Sequence, residues 1–194
     1  MKLNTRAVAL TIVFAALAIA LNPIGVPAVY LPNFYYRFWE IPIVAAFLLF
    51  GPKIGVTVAV LRTVAELTLF PGPAGVLGPP IVLVLTLSML LGVYSADRLL
   101  KRKASQDKNL GIKPVTYYTA FGALLRTVIA PFVMYAMYRF LLPLVVGISF
   151  SDIQIMALMP AFMLFALTLS LYTIPVGYLI ARTVSRNLKV GSKI

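Results

Sequence analysis

The chain reads as an all-α integral membrane protein: one domain over residues 1–194, six transmembrane helices, both termini in the cytoplasm. Three observations predict that class. Of its 194 residues, 61% are hydrophobic and only 11% charged, where soluble domains carry roughly 25% charged residues. The mean hydropathy is +0.98, and so short a chain cannot hide that much apolar surface in a water-soluble core. Finally, the basic residues fall on one side once the apolar runs are threaded through a bilayer.

A helix needs roughly 20 apolar residues to cross a bilayer, with a range of about 17–25. Six runs meet or approach that length: Ala7–Leu21, Phe34–Phe50, Ile54–Phe70, Ile81–Leu100, Tyr117–Leu142 and Ile153–Ala181. The first ends in ALAIA, which resembles a signal-peptide cleavage region. Five further spans follow it, so it is taken as a retained helix. Gly51-Pro52 divides the second run from the third, because the residue before proline is pushed out of helical geometry. PGPAGVLGPP (Pro71–Pro80) is a breaker-rich loop before the fourth run.

Charge then orients the spans. Lys2 and Arg6 precede the first, Lys53 lies between the second and third, and Arg182, Arg186, Lys189 and Lys193 form the tail. Arg98, Lys101, Arg102, Lys103, Lys108 and Lys113 surround the connection between the fourth and fifth. These 13 of the 17 basic residues lie on one face when both termini are cytoplasmic, which leaves Arg37 and Arg139 opposite. That is the positive-inside pattern. The net charge of +12 is therefore assigned to cytoplasmic loops and not to nucleic acid. With no cysteine and no histidine, disulfides, thiolate chemistry, imidazole metal sites and Ser-His or Cys-His catalysis are excluded.

Ionised side chains inside the apolar runs are costly, about 2.5–3.5 kcal/mol each on insertion scales, so they face partners, water or ligand. AVLRTVAEL (Ala59–Leu67) places Arg62 and Glu66 four residues apart on one helix face. At 1.5 Å per residue from Lys53 they lie about 14 and about 20 Å into the membrane. Arg126 on the fifth span lies on the order of 14 Å from Tyr117 by the same rise. One reading is a salt bridge that only ties helices together. The other is a cavity wall, favoured by two arginines against one glutamate, an excess that a ligand or polar network would compensate.

A second concentration precedes the second span: LPNFYYRFWEIP, Leu31–Pro42. Tyr35, Tyr36 and Trp39 crowd around Arg37 and Glu40. This is either an interfacial aromatic belt or a lid whose rings stack on a flat ligand while the charged pair fixes its polar edge. In the first span, Ala16 and Ala20 stand at small-xxx-small spacing, which allows close helix approach in lipid. They serve either packing within the chain or docking of another membrane subunit.

Taken together, the six spans, the alanine-rich first helix, the long aromatic outer loop and IPIVAAFLLFGPKIGVTVAVLRTVAEL (Ile41–Leu67) resemble the substrate-binding (S) component of energy-coupling factor (ECF) vitamin transporters. The riboflavin-specific type is the nearest in pattern. This chain departs from it at Arg62-Thr63 and Glu66, where that type carries Lys-Asn and then a histidine. The resemblance implies no catalysis and no cofactor, only a bound vitamin, riboflavin or FMN, as the transported ligand. It also implies a multi-pass cell-membrane location in contact with lipid, and as partners a transmembrane T subunit and two cytoplasmic ATPases. The chain itself has no G-x-x-x-x-G-K-[ST]. In this scheme the subunit binds its vitamin from outside, docks through Ala16 and Ala20, and topples to release it inward. By the depth argument, Tyr35, Tyr36, Trp39 and Glu40 cap the ligand, while Arg62, Glu66 and Arg126 line the cavity floor.

Two readings from other classes stand beside this one. A lipid-modifying membrane enzyme would use Glu66 and Arg62, yet the chain has only five acidic residues, scattered along it. A scaffold subunit would use the alanine face and bind nothing. An S component for a pyrimidine, thiamin-like or pantothenate-like solute is the alternative within the family.

Overall fold

The computed structural model describes residues 5–31, 34–69, 75–104 and 114–188. Their order is α1 (Thr5–Ala20), β1 (Gly25–Pro27), β2 (Tyr35–Arg37), α2 (Glu40–Phe50), α3 (Pro52–Leu69), α4 (Gly78–Ala104), α5 (Pro114–Ala136), a π-helical turn (Met137–Leu141), α6 (Leu142–Val146) and α7 (Asp152–Leu188). By length and composition, three stretches can cross a membrane: Gly78–Arg102, Pro114–Val146 and Asp152–Asn187. Val8–Ala20 and Glu40–Phe50 are shorter apolar helices. Lys2, Pro71 to Ala74, Lys108, Lys113, Lys189 and Lys193 lie outside the described residues.

Helix α2 is the centre of the fold. Every residue from Glu40 to Leu49 is buried, as expected of a helix that is apolar all round. It packs between α3 and α7 and against α1, while α4 lies along α5 and α5 along α7. Close approach is set by glycine. A Cβ on Gly55 would stand 2.7 Å from Phe47 Cα, and one on Gly177 would stand 2.8 Å from Val44 Cβ. Gly92 is the tightest position: its Cβ would strike the Phe121 backbone carbonyl and stand 2.7 Å from Gly122 Cα. Gly92→Leu is expected to separate α4 from α5 and to cost at least the roughly 1–3 kcal/mol typical of overpacking. A lowered thermal midpoint in detergent would register it, and an unchanged midpoint would contradict this packing.

The second predicted span requires correction. Phe34–Trp39 is not helical: Tyr35–Arg37 pairs antiparallel with Gly25–Pro27, Tyr36 opposite Val26. Only Glu40–Phe50 is helix, and at 1.5 Å per residue its 11 residues reach about 16 Å, roughly half a hydrocarbon core of about 30 Å. The hairpin is fastened to α7 by its aromatic side chains. Phe34 packs on Phe162 and Phe165, each with ring centroids 5.4 Å away, and Tyr172 donates its hydroxyl to the Arg37 carbonyl at 2.9 Å.

Other boundaries differ for identifiable reasons. Pro79 and Pro80, expected in a loop, open α4, where the first turn has no internal use for an N–H. The fifth run goes past α5 through a π turn in which the Leu142 N–H reaches the Met137 carbonyl. Pro143 follows at once and has no N–H to continue the α ladder. Arg139 Nε on that turn meets Asp152 Oδ1 at 3.3 Å, which ties it to the start of α7. That start is a reciprocal cap: the Ser151 N–H donates to Gln154 Oε1 at 3.0 Å, and the Gln154 N–H to Ser151 Oγ at 3.3 Å.

Candidate ligand cavity

Two apolar cores leave a polar layer between them. One is built from α1, α2, α3 and the facing parts of α4 and α7, and includes Tyr118 of α5. The other joins the hairpin to α4, α5 and α7, and includes Ala130 and Met134 of α5. Arg126 falls between these two stretches of α5, and a cavity of about 400 Å³ opens there. Pockets for small solutes typically run from about 300 to 1,000 Å³.

Glu40 opens α2 and is 1% exposed, with its charge at the favourable, positive end of the helix dipole. Arg126 grips it as a fork, Nη1 to Oε2 at 2.5 Å and Nη2 to Oε1 at 2.8 Å. Thr86 Oγ1 of α4 donates to the same Oε1 at 3.0 Å. Three helices therefore meet on one carboxylate. Beside it, Arg62 of α3 forms an ion pair from Nη1 to Glu66 Oε2 at 2.6 Å and donates Nη2 to Asn22 Oδ1 at 2.5 Å. Its guanidinium carbon lies 3.4 Å from the Trp39 ring centroid, a cation–π contact strengthened by burial. Arg37 of the hairpin donates to the remaining Glu66 oxygen at 3.1 Å. The consecutive residues Trp39 and Glu40 thus hold one buried arginine each.

Tyr35, Arg37, Trp39, Glu40, Arg62, Glu66 and Arg126 all line the cavity. Tyr36 is not among its lining residues. It packs on Phe165 with centroids 4.9 Å apart and hydrogen-bonds Thr168 at 2.8 Å and also Tyr30. Period-two alternation along β2 turns it toward α7 while its neighbours Tyr35 and Arg37 face the space. Trp39 and Glu40 are 5% and 1% exposed, so they belong to the wall and floor and not to a mobile cap. The excess positive charge also moves. With Glu40 paired to Arg126, the two deep arginines are matched by two carboxylates. The third arginine, Arg37, shares Glu66 with Arg62, and its side chain is 32% exposed.

Asn22 and Thr86 carry no signal in the sequence: one reads as a turn residue before Pro23, the other as a hydroxyl in an apolar helix. The apolar wall of Met134, Met137, Tyr138, Phe165 and Leu169 is likewise indistinguishable, as sequence, from lipid-facing residues. On α1, Ala15 and Ala18 face the core, while Ala16 and Ala20 are exposed.

No family model matches the chain, and no curated protein matches it. Among solved structures, it is similar to the S component of a bacterial ECF transporter, with a TM-score of 0.72 and 20% identity over 95% of this chain and 98% of that one. The chain therefore has the fold of an ECF-transporter S component.

Proposed function

We propose that this chain is the substrate-binding subunit of an ECF-type importer and that it takes up riboflavin or a close flavin across the cell membrane. In this reading residues 1–194 form one domain of six spans with cytoplasmic ends, α2 contributing the shortest. A transmembrane T subunit and two ATPases supply the energy, and the exposed face of α1 with Ala16 and Ala20 receives the T subunit.

The observation that carries the reading is the cavity itself. Within a fold shared with an S component, an aromatic hairpin and two buried, charge-balanced arginines enclose a space of about 400 Å³. Its aromatic and thioether walls suit a flat ring system, and its polar groups gather on one side. Binding is the role this arrangement suits, since Glu40 is paired with Arg126 and Glu66 with Arg62 and Arg37.

The test is what the purified protein carries. Detergent-solubilised protein with a yellow chromophore that is released on denaturation supports a flavin. A colourless preparation that also fails to bind added riboflavin would move the ligand to another vitamin or precursor, of pyrimidine, thiamin-like or pantothenate-like type.

A further inference from the structure

One wall of the cavity is shaped by a break in helix regularity. Met134, Met137, Tyr138 and Leu142 line it, drawn in succession from α5, the π turn and α6. An α-helix turns about 100° per residue, so Met137 stands about 60° behind Met134 and Tyr138 about 40° ahead of it. Continued as α, that stripe would centre on Leu141, about 20° behind Met134, and leave Leu142 about 80° ahead, at its edge. The structure has the reverse. Leu141 is 38% exposed, whereas Leu142 lines the cavity and packs on the second apolar core. The bond from the Leu142 N–H to the Met137 carbonyl encloses one residue more than an α turn. That extra residue sets every later side chain back by one position.

Three features hold the turn in this register. A prolyl ring clashes with the carbonyl four residues earlier in an α-helix, so Pro143 disfavours an α continuation past Arg139. Tyr138 stacks on Phe162 with ring centroids 5.7 Å apart and planes at 22°. Phe162 is buried and packs in turn on Phe34, another lining residue. Arg139 ties the turn to Asp152. π turns within α-helices are rare and fall often at functional sites.

Building on the flavin reading, we infer that the π turn is a specificity element and that Leu142 is the residue it delivers. The charged side chains of the cavity gather around Glu40 and Glu66. The wall of Met137, Tyr138 and Leu142 begins 11 residues past Arg126, about 16 Å along the helix at 1.5 Å per residue. It is the end of the cavity away from the charges. A flavin ring has a polar edge, its dione, and a hydrocarbon edge, its dimethylbenzene ring. The dione takes the charged side, so the hydrocarbon edge lies toward the π-turn wall. Leu142 there sets how far the ring extends, in a place that an unbroken α-helix would give to Leu141.

Equilibrium dialysis of the purified full chain with riboflavin and with ribityl-dimethyllumazine tests this. The second compound keeps the dione and the ribityl chain but is one ring shorter. The wild-type chain is expected to bind riboflavin at least tenfold tighter. Leu142→Phe, which advances the wall, should cut that preference at least tenfold, while Leu141→Phe should leave it within twofold. Should Leu142→Phe not fold, Leu142→Ala decides: riboflavin is expected to weaken at least threefold and the shorter compound not at all. Equal loss of both compounds, or of neither, would overturn the inference. So would a preference moved by Leu141→Phe alone, by both phenylalanine variants alike, or by neither. Each of those results leaves the flavin reading standing, as does a wild-type chain that binds the two compounds equally well, which also overturns the inference. A wild-type chain that binds no riboflavin would sink the flavin reading and the inference with it.

Discussion

Glu40→Ala and Arg126→Ala are each expected to lower stability by about 3–5 kcal/mol, because either one strands its partner as an unpaired buried charge. The magnitude follows from burial: the two side chains are 1% and 3% exposed and meet at 2.5 Å. The double variant Glu40→Leu/Arg126→Met should recover most of that loss, since a well-packed apolar pair of similar volume replaces a buried ion pair at little or no cost. Ligand binding should not recover with it. Chemical unfolding in detergent and a binding titration on the same four proteins separate the two roles. A stable double variant that binds normally would make the pair a strut between α2 and α5 and nothing more.

The second large effect concerns transport alone. Ala16→Leu/Ala20→Leu places two branched side chains on a face of α1 that is exposed in this chain, so the subunit's own fold and cavity are left intact. Close helix approach in lipid depends on small residues. Uptake by cells carrying the whole transporter is therefore expected to fall at least tenfold, while the purified variant binds ligand with unchanged affinity. Normal uptake would remove this face from the docking reading, and weakened binding in the purified variant would show that α1 supports the cavity directly.

Much of the fold was legible because hydropathy is a local property. α1, α3, α4, α5 and α7 each coincide with an apolar run that length alone detects. α2 was over-extended for a physical reason: the aromatic rings of Phe34–Trp39 run without a breaker into the apolar helix behind them, and strands of three residues are too short for alternation to declare itself. Their conformation is fixed by partners on β1 and α7, remote in sequence. The site divides along the same line. Arg62 and Glu66 could be paired from i,i+4 spacing. Glu40 and Arg126, 86 positions apart, could not be, nor could Asn22 and Arg62, 40 apart. Missing that first pair left two arginines facing one glutamate, when Arg37, Arg62 and Arg126 share two carboxylates.

The hairpin was legible as a functional element but not in its inner arrangement. A polar, aromatic stretch between apolar runs invites a lid reading, and Tyr35 and Arg37 do face the cavity. Trp39 and Glu40 instead go inward. Their register is set by the start of α2 at Glu40 and by the two arginines waiting for them on α3 and α5.

The central claim is that a solute occupies this cavity, and Trp39 is placed to report it. It is the only tryptophan in the chain, it lines the space, and it is stacked on Arg62. Titrating the purified protein with riboflavin should quench Trp39 fluorescence saturably at one site per chain. The expected Kd is below about 1 μM, equivalent to a binding free energy tighter than about −8 kcal/mol. Arg126→Ala, or the stable double variant should that single variant unfold, should abolish the quenching. Fluorescence that stays unchanged across the titration, or that responds equally in the variant, would contradict a flavin in this cavity.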